Sequence, residues 1–298
     1  MNEQQLNIIR QIREQQFAQV DSSTLTPPGT PAAQRIEIVI PTAYGDARTN
    51  IYRPLDVNEP APVFINLHGG GFVLGDPEMD DPWCAYVADL SGCIVFNVDY
   101  VLAPEHKFPA AVYQCYEVAQ WIREHAAEWG GDGSKLAIGG HSAGGNLSAA
   151  VCLLNLDKGG ELPIAYQILD YPPLDLHTDP AEKPSFAEAI PVDMARMFNE
   201  MYFENAADAR NPLASPVFAP ISSLQHLPPA LVITAGKDSL AAEAEQYAAH
   251  LKQAGVAVTQ RQYPGEAHGF THSGTPANAE EAWQLMASEL KNIFAQHV

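Results

Sequence analysis

A serine flanked by small residues occurs at Gly140-His141-Ser142-Ala143-Gly144, which fits the pattern Gly-x-Ser-x-Gly. A short apolar run precedes it and a helix-like run follows it, so the serine is expected at a sharp turn between a strand and a helix. Such a turn exposes the hydroxyl, and glycines two positions away on each side let the flanking backbones come close. The pattern predicts a nucleophilic serine, but alone it is weak evidence, because glycine and serine are common in ordinary turns.

Serine becomes a strong nucleophile when a base accepts its proton, and that base is usually a histidine oriented by a carboxylate. Asp238 follows the apolar run at residues 230–235, and His268 follows the next run, so both are expected at the carboxyl edge of a parallel sheet. Three other residues compete for these roles: His272 as the base, and Asp170 and Glu243 as the acid. We expect Ser142, Asp238 and His268 to form a catalytic triad, in the chain order of α/β-hydrolases.

Three consecutive glycines follow another apolar run, in His68-Gly69-Gly70-Gly71. Because glycines leave the backbone bare, their N–H groups can point at the negative oxygen that develops when a serine attacks a carbonyl. Lipases and esterases use such a segment together with the N–H of the residue after the nucleophile, which is Ala143 here. A phosphate-binding turn is the alternative interpretation, and it is disfavoured because no Gly-x-Gly-x-x-Gly or Gly-Lys-Ser/Thr follows.

Short apolar runs alternate with longer helical patterns after residue 30, as expected for a mostly parallel sheet with helices on both faces. The predicted strands lie at residues 35–40, 47–53, 63–67, 93–98, 136–138, 165–169, 230–234 and 256–263. The predicted helices lie at residues 82–90, 110–128, 143–154, 241–253 and 277–296. This α/β order would bring the ends of several strands, and the side chains that follow them, to one edge of the sheet.

Two segments interrupt the alternation, residues 2–20 and 172–229, and each contains an amphipathic pattern. They predict a helical cap over the strand ends, with a cap helix and linker at 1–30 and a catalytic domain at 31–298 that carries the insertion. Ordinary helices that fill gaps on the core are an equally good interpretation. Five side chains are assigned to a substrate pocket under the cap: Phe72, Met194, Met197, Phe198 and Met201.

The composition limits the partners. The 298-residue chain has 36 acidic and 16 basic side chains and a formal net charge of −20, so nucleic acid and anionic membranes are disfavoured. The sequence shows neither a signal-peptide pattern nor an apolar stretch that could span a bilayer, so we expect a cytoplasmic protein without membrane insertion. Its four cysteines lack metal-ligand or paired spacing and are expected to be buried and reduced. The sequence leaves a homo-oligomer open.

Two further motifs point to a family. Asp99 to His106 reads DYVLAPEH, and Tyr263 to Phe270 reads YPGEAHGF. With the serine and glycine motifs, they resemble the hormone-sensitive-lipase-like family, also called the bacterial family IV esterases, over roughly residues 35–295. The resemblance implies an α/β-hydrolase fold with a helical cap, no cofactor and no metal, and hydrolysis of short- to medium-chain acyl esters, acetyl esters among them. It implies the following site residues: Ser142, Asp238 and His268 as the triad, and Gly70, Gly71 and Ala143 as the oxyanion hole.

The chain departs from the family pattern at three positions. His141 stands where the family usually has aspartate, Val101 where it has arginine, and Ser239 where it has proline. Two other functions fit the same motifs: an arylformamidase-like amide hydrolase, which would use the same machinery, and a non-catalytic small-molecule receptor on the same fold. The receptor is disfavoured because receptors related to this family lack the catalytic histidine, whereas His268 is present.

Overall fold

The computed structural model describes residues 9, 13, 25–28, 31–57 and 60–295. The helix predicted at residues 2–20 lies outside the described residues, apart from Ile9 and Arg13, which are both helical. Ile9 is buried in a hydrophobic core, and the Arg13 guanidinium donates hydrogen bonds to the carbonyl oxygens of Val73 and Ala103 at 2.8 and 2.7 Å. Both residues therefore pack against the body of the described structure.

The described strands form one sheet of eight. They are β1 (Gln34–Ile40), β2 (Ala47–Arg53), β3 (Ala61–Leu67), β4 (Ile94–Val98), β5 (Gly131–His141), β6 (Ile164–Asp170), β7 (Ala230–Ala235) and β8 (Val258–Tyr263). Their order in the sheet is β1-β2-β4-β3-β5-β6-β7-β8. Strand β2 is antiparallel to both of its neighbours, and β3 to β8 run parallel, so the ends of six strands meet at one carboxyl edge.

Helices cover both faces of this sheet. They are α1 (Asp81–Ser91), α2 (Ala110–His125), α3 (Ala143–Asp157), α4 (Val192–Tyr202), α5 (Ala241–Gln253), α6 (Phe270–Ser273) and α7 (Pro276–Ala295). Side chains alternate between faces along a strand, so Ile94 and Phe96 of β4 join the core under α2, α3 and α5, whereas Val95 joins the core under α1 and α7. The predicted mostly parallel sheet with helices on both faces is confirmed.

Two asparagines interrupt the apolar strands β3 and β4, and they bind one another. The Asn66 amide donates to Asn97 Oδ1 at 3.0 Å and to Asp80 Oδ2 at 2.7 Å, and the Asn97 amide donates to the Pro77 carbonyl at 2.7 Å. These bonds satisfy buried polar groups and tie the short 3-10 helix Pro77–Asp80 to the sheet. They also fix a buried carboxylate, Asp80, close to the functional edge of the sheet.

The insertion at residues 172–229 contains α4 and the 3-10 helices Pro180–Glu182, Ala206–Arg210, Pro216–Phe218 and Ile221–Leu224. Its role as a cap stays a prediction. The four cysteines are buried in the two cores, as the sequence predicts. In the part of the chain that the structure describes, none of the helices has the length and apolarity to cross a bilayer.

Candidate active site

Ser142 lies on the turn between β5 and α3, in a strained backbone conformation with φ 51° and ψ −117°. Its N–H donates to the Asp170 carbonyl at 2.9 Å, which joins the turn to β6. A Cβ atom on Gly140 or Gly144 would lie 2.1 or 1.8 Å from the Leu67 carbonyl oxygen. The glycines are therefore required because the turn passes directly beside the end of β3.

Replacing Gly144 by alanine is expected to destabilise the protein by about 3 kcal/mol, because the added methyl group overlaps a backbone carbonyl that cannot move freely. At an unhindered helical position, alanine stabilises the folded state relative to glycine by about 1 kcal/mol. A lower free energy of unfolding in Gly144→Ala would therefore show that the steric overlap outweighs the helix propensity of alanine. Urea unfolding measures the difference. Gly265→Ala is the matched control, because nothing lies within 4 Å of a Cβ there. A loss below about 0.5 kcal/mol for Gly144→Ala would contradict the close packing of the turn.

The side chains of Ser142, His268 and Asp238 form one hydrogen-bonded chain. Ser142 Oγ lies 2.8 Å from His268 Nε2, and His268 Nδ1 lies 2.7 Å from Asp238 Oδ2. Asp238 is 1% exposed, and its other carboxylate oxygen accepts the Leu240 N–H at 3.0 Å. The structure thus brings together the three residues that the sequence predicts for the triad, and Ser239 at the family's proline position does not disturb them.

The loops that carry Asp238 and His268 are joined by backbone hydrogen bonds. The Lys237 N–H donates to the Glu266 carbonyl at 2.8 Å, and the Gly236 N–H donates to the Tyr263 carbonyl at 2.9 Å. The Glu266 side chain in turn accepts the Asn278 amide at 2.6 Å. These hydrogen bonds brace the two loops against each other close to the carboxylate and the imidazole.

The glycine segment after β3 faces Ser142 across a common cavity, which Gly70 and Gly71 line. Both have positive φ, 121° and 61°, and a Cβ on Gly70 would lie 2.0 Å from the Leu74 carbonyl. Ala143 is the first residue of α3, so its N–H has no acceptor within the helix and lies at the positive end of the helix dipole. These residues are placed where they could donate to an oxyanion.

The DYVLAPEH motif supports the glycine segment. Tyr100 stacks on the buried His68 ring with centroids 4.3 Å apart, and its hydroxyl donates to the His68 carbonyl at 2.8 Å. Arg48 of β2 donates to the Asp99 carboxylate at 3.2 Å. The motif therefore contacts the glycine segment through His68, the residue directly before the three glycines.

Asp80, His141, Asp170 and His272 form a second polar cluster. It contains two of the residues that competed for triad roles, His272 and Asp170. His141 Nδ1 lies 2.8 Å from Asp170 Oδ2, and His272 Nε2 lies 2.8 Å from Asp80 Oδ1. His141 and His272 meet edge to face, with ring centroids 4.7 Å apart. The third competitor, Glu243, binds elsewhere. Sequence reasoning missed Asp80, because no motif surrounds it and its partners are distant in the chain.

The buried histidine and carboxylates of this cluster change one another's pKa. Burial by itself lowers the pKa of His141, but the negative charges of Asp80 and Asp170 outweigh it and the net direction is upward. Burial raises the pKa of Asp80, and the charge of His141 and the hydrogen bond from His272 reverse that shift. Both ring nitrogens of His141 lie near carboxylates, and among the described hydrogen bonds neither binds the Ser142 hydroxyl.

Glu243 links α5 to the insertion. Its carboxylate accepts the N–H groups of Leu174 and Asp175 at 2.8 and 3.0 Å and the Lys183 ammonium at 2.6 Å. Burial raises the pKa of Glu243 to about 7, although Lys183 and the backbone donors act in the opposite direction. Because Lys183 also lines the cavity, this carboxylate positions a wall of the site.

Stability is expected to fall as pH rises from about 4.5 to 7, because the folded protein keeps a proton on Glu243 that the unfolded chain releases near its ordinary pKa. The contribution is complete below the unfolded pKa and is lost as pH passes the folded pKa; its upper limit is about 3 kcal/mol. Glu243→Gln should flatten this part of a curve of unfolding free energy against pH. Glu245→Gln, an exposed change on the same helix, should leave it unaltered. Parallel curves for Glu243→Gln and the unmodified protein would exclude the effect.

The cavity beside Ser142 has a volume of about 460 Å³. Of the predicted pocket residues, Phe72, Met194 and Phe198 line it, and a Cβ on Gly71 would lie 2.6 Å from the Phe198 ring. Met197 and Met201 do not line it, so their assignment is corrected: Met201 is buried in the core and Met197 packs against it. Met197 points about 60° away from Met194 and about 100° away from Phe198 around the helix axis, whereas Met201 points in nearly the same direction as Met194 but lies about two turns further along the helix.

The fold and this arrangement define a class of protein. A parallel sheet with a serine on a strand-to-helix turn, followed by an acid after β7 and a histidine after β8, is the organisation of α/β-hydrolases. A family model described as the alpha/beta hydrolase fold matches residues 64–272. The chain belongs to this family.

Individual proteins of known name are also similar to this chain. An arylesterase of Saccharolobus solfataricus is 36% identical over 248 residues, which cover 82% of this chain and 78% of that protein. Carboxylesterase NlhH of Mycobacterium tuberculosis is 34% identical over 255 residues, 84% of this chain and 80% of its own. A hyperthermophilic esterase of the archaeon Pyrobaculum calidifontis has a TM-score of 0.83 at 37% identity, covering 96% of this chain and 93% of that one. The predicted membership of the hormone-sensitive-lipase-like family is confirmed.

Proposed function

We propose that this protein is a serine carboxylesterase that hydrolyses short- to medium-chain acyl esters, acetyl esters among them. The class, carboxylic ester hydrolysis by a serine enzyme, rests on the family and on the names of the relatives. The residue roles rest on one observation above all: the continuous hydrogen-bonded chain from Ser142 Oγ through His268 to the buried Asp238.

In the proposed mechanism, His268 Nε2 accepts the Ser142 proton as Oγ attacks the acyl carbon. Asp238 holds the imidazole by Nδ1 and stabilises its positive charge. The N–H groups of Gly70, Gly71 and Ala143 receive the negative oxygen of the tetrahedral intermediate. The alcohol leaves with the proton from His268, and a water molecule then hydrolyses the acyl-serine by the same steps. This reaction requires no cofactor.

The cavity supports the choice of substrate size. Its mostly apolar lining suits an acyl chain, and the Phe198 ring of the insertion packs closely against Gly71. The substrate is proposed to be a small ester, without nucleic acid as a partner and without membrane insertion. The cytoplasmic location and a homo-oligomer stay predictions from the sequence.

The proposed function is tested by hydrolysis rates of aryl esters of increasing acyl length. We expect high rates for short and medium chains and a steep fall for long chains. Phe198→Ala should raise the relative rate for the longer esters by about 10-fold, since it enlarges the pocket by several carbon atoms. Phe186→Ala, at a 39% exposed phenylalanine of the same insertion, is the matched control.

Labelling by a fluorophosphonate separates an enzyme from a receptor. A folded protein whose Ser142 fails to react would contradict the proposed function, because the serine is within hydrogen-bond distance of its base. Comparing an aryl acetate with an N-formyl aryl amide distinguishes the esterase from the amide hydrolase. Faster turnover of the amide would overturn the substrate assignment.

A further inference from the structure

Three side chains of the second polar cluster converge on one point of the substrate cavity. One ring nitrogen each of His141 and His272 and a carboxylate oxygen of Asp80 lie within 4.8 Å of one another. All three residues line the same cavity as Ser142. None of them belongs to the proposed triad or oxyanion hole. Two imidazoles and one carboxylate are a common ligand set for zinc and for related divalent metal ions.

The distances fit a small ion after a slight adjustment. Zinc bonds to histidine nitrogen and carboxylate oxygen are about 2.0–2.2 Å long, so tetrahedral ligand atoms lie about 3.4 Å apart. His272 Nε2 and Asp80 Oδ1 are 2.8 Å apart and would separate slightly. His141 Nε2 and Asp80 Oδ2 are 3.9 Å apart and would approach slightly. These two changes, one at each carboxylate oxygen of Asp80, are about half an ångström, and the three ligand atoms already lie within 4.8 Å of one another.

The other ring nitrogen of each histidine is already held. His141 Nδ1 binds the Asp170 carboxylate at 2.8 Å, and His272 Nδ1 lies 3.1 Å from both the Tyr171 and the Thr271 hydroxyl. Metal-binding histidines characteristically have such a partner on the nitrogen that does not bind the metal, because it fixes the orientation of the ring. Both Nε2 atoms therefore lie near the Asp80 carboxylate, at 3.9 Å for His141 and 2.8 Å for His272.

His141 Nε2 is the second, independent sign of a ligand. His141 is 3% exposed, and among the described residues this nitrogen has no hydrogen-bond partner. A buried polar atom of that kind usually has a partner, so one is expected that is not a side chain of the described structure. His141 is also one of the residues that line the cavity.

The charges also suit a cation. Asp80 and Asp170 are 1% and 0% exposed, and they flank His141 on either side. With neutral imidazoles, a divalent ion would balance the two carboxylates. The three ligands leave a fourth position open towards the cavity, which a water molecule or a substrate atom could fill.

We propose that Asp80, His141 and His272 form a binding site for a divalent metal ion of the zinc class, and that the bound ion inhibits ester hydrolysis. An ion with its water occupies the cavity beside Ser142 and excludes part of the substrate. The inhibition rests on the proposed function, since it requires Ser142 to be the nucleophile. The binding does not, and it is measured without turnover.

The binding test titrates the full-length, untagged protein with Co²⁺ and follows visible absorption. Four-coordinate Co²⁺ absorbs far more strongly than six-coordinate Co²⁺, so the spectrum reports the geometry. We expect a strong four-coordinate spectrum that saturates at one equivalent and disappears when Zn²⁺ is added. Ser142→Ala should give the same titration. A weak six-coordinate spectrum would overturn the proposal.

Variants assign the ligands. His272→Gln keeps a donor for Asp80 and should weaken Co²⁺ binding by about 100-fold, as should Asp80→Asn. His106→Gln removes an exposed histidine and is the matched control. Equal affinity in His272→Gln and the unmodified protein would refute the site. If a variant fails to fold by circular dichroism, anomalous diffraction from Zn²⁺-soaked crystals of the unmodified protein decides whether the ion lies between these three residues.

The inhibition test compares aryl acetate hydrolysis with and without Zn²⁺ within each variant. We expect the inhibiting concentration to rise about 100-fold in His272→Gln and to stay constant in His106→Gln. Binding without inhibition would overturn the second part of the proposal and leave the first intact. Loss of ester hydrolysis in all proteins, with the Co²⁺ spectrum unchanged, would count against the proposed function and not against the metal site.

Discussion

Replacing Ser142 by alanine is expected to lower kcat/KM for aryl acetates by about four to six orders of magnitude, with the fold intact. The change removes the atom that attacks the acyl carbon, and the oxyanion donors that remain can assist only a slow attack by water. Alanine fits the strained turn no worse than serine, because both side chains begin with the same Cβ. The loss should therefore fall on the reaction and not on stability.

Ser288→Ala is the control for this result, since Ser288 is an exposed serine on α7 and its change should leave kcat/KM unaltered. Urea unfolding should give equal midpoints for the two variants. Burst-phase kinetics should show an acyl-enzyme in the unmodified protein and none in Ser142→Ala. Near-normal turnover in Ser142→Ala would mean that another residue is the nucleophile, and the assignment of the whole site would be wrong.

The architecture was predictable where the hydrophobic pattern was unambiguous. The strand predicted at residues 230–234 is Ala230–Ala235, and the helix predicted at 241–253 is Ala241–Gln253. The strand predicted at 136–138 is much longer, Gly131–His141. Its first half is polar and glycine-containing, so it reads as a turn, and only the pairing of Gly131 with Ala61 of β3 makes it a strand. Such pairing between distant segments cannot be inferred from the local sequence.

The site, too, was predictable where local motifs mark its residues and not where its contacts join distant segments. Ser142 and His268 stand in motifs whose spacing reflects a local turn, and the structure brings them together. The partners of His141, Asp170 and Asp80, lie 29 and 61 residues away in two different elements, β6 and the 3-10 helix Pro77–Asp80. No local pattern joins them, so sequence reasoning recorded the unusual histidine without its carboxylates. The corrected role of Met197 has a similar origin, since periodicity marks an apolar face but not what covers each part of it.

His268→Asn is expected to lower kcat/KM by about four orders of magnitude or more, because asparagine cannot accept the Ser142 proton. His272→Asn should cost at most about tenfold, since His272 binds Asp80 and has no hydrogen bond to Ser142 among those described. The two histidines are four residues apart and both line the cavity, so the pair tests position and not only residue type.

A double variant sharpens the test. If His268 acts only through Ser142, the combination of Ser142→Ala with His268→Asn should be no slower than Ser142→Ala alone, because the second change removes a base that no longer has a proton to accept. Fluorophosphonate labelling should likewise be slow in His268→Asn and fast in His272→Asn. An exchange of these two phenotypes would make His272 the base, and its bond to the buried Asp80 would then have to be the orienting contact in place of that between His268 and Asp238.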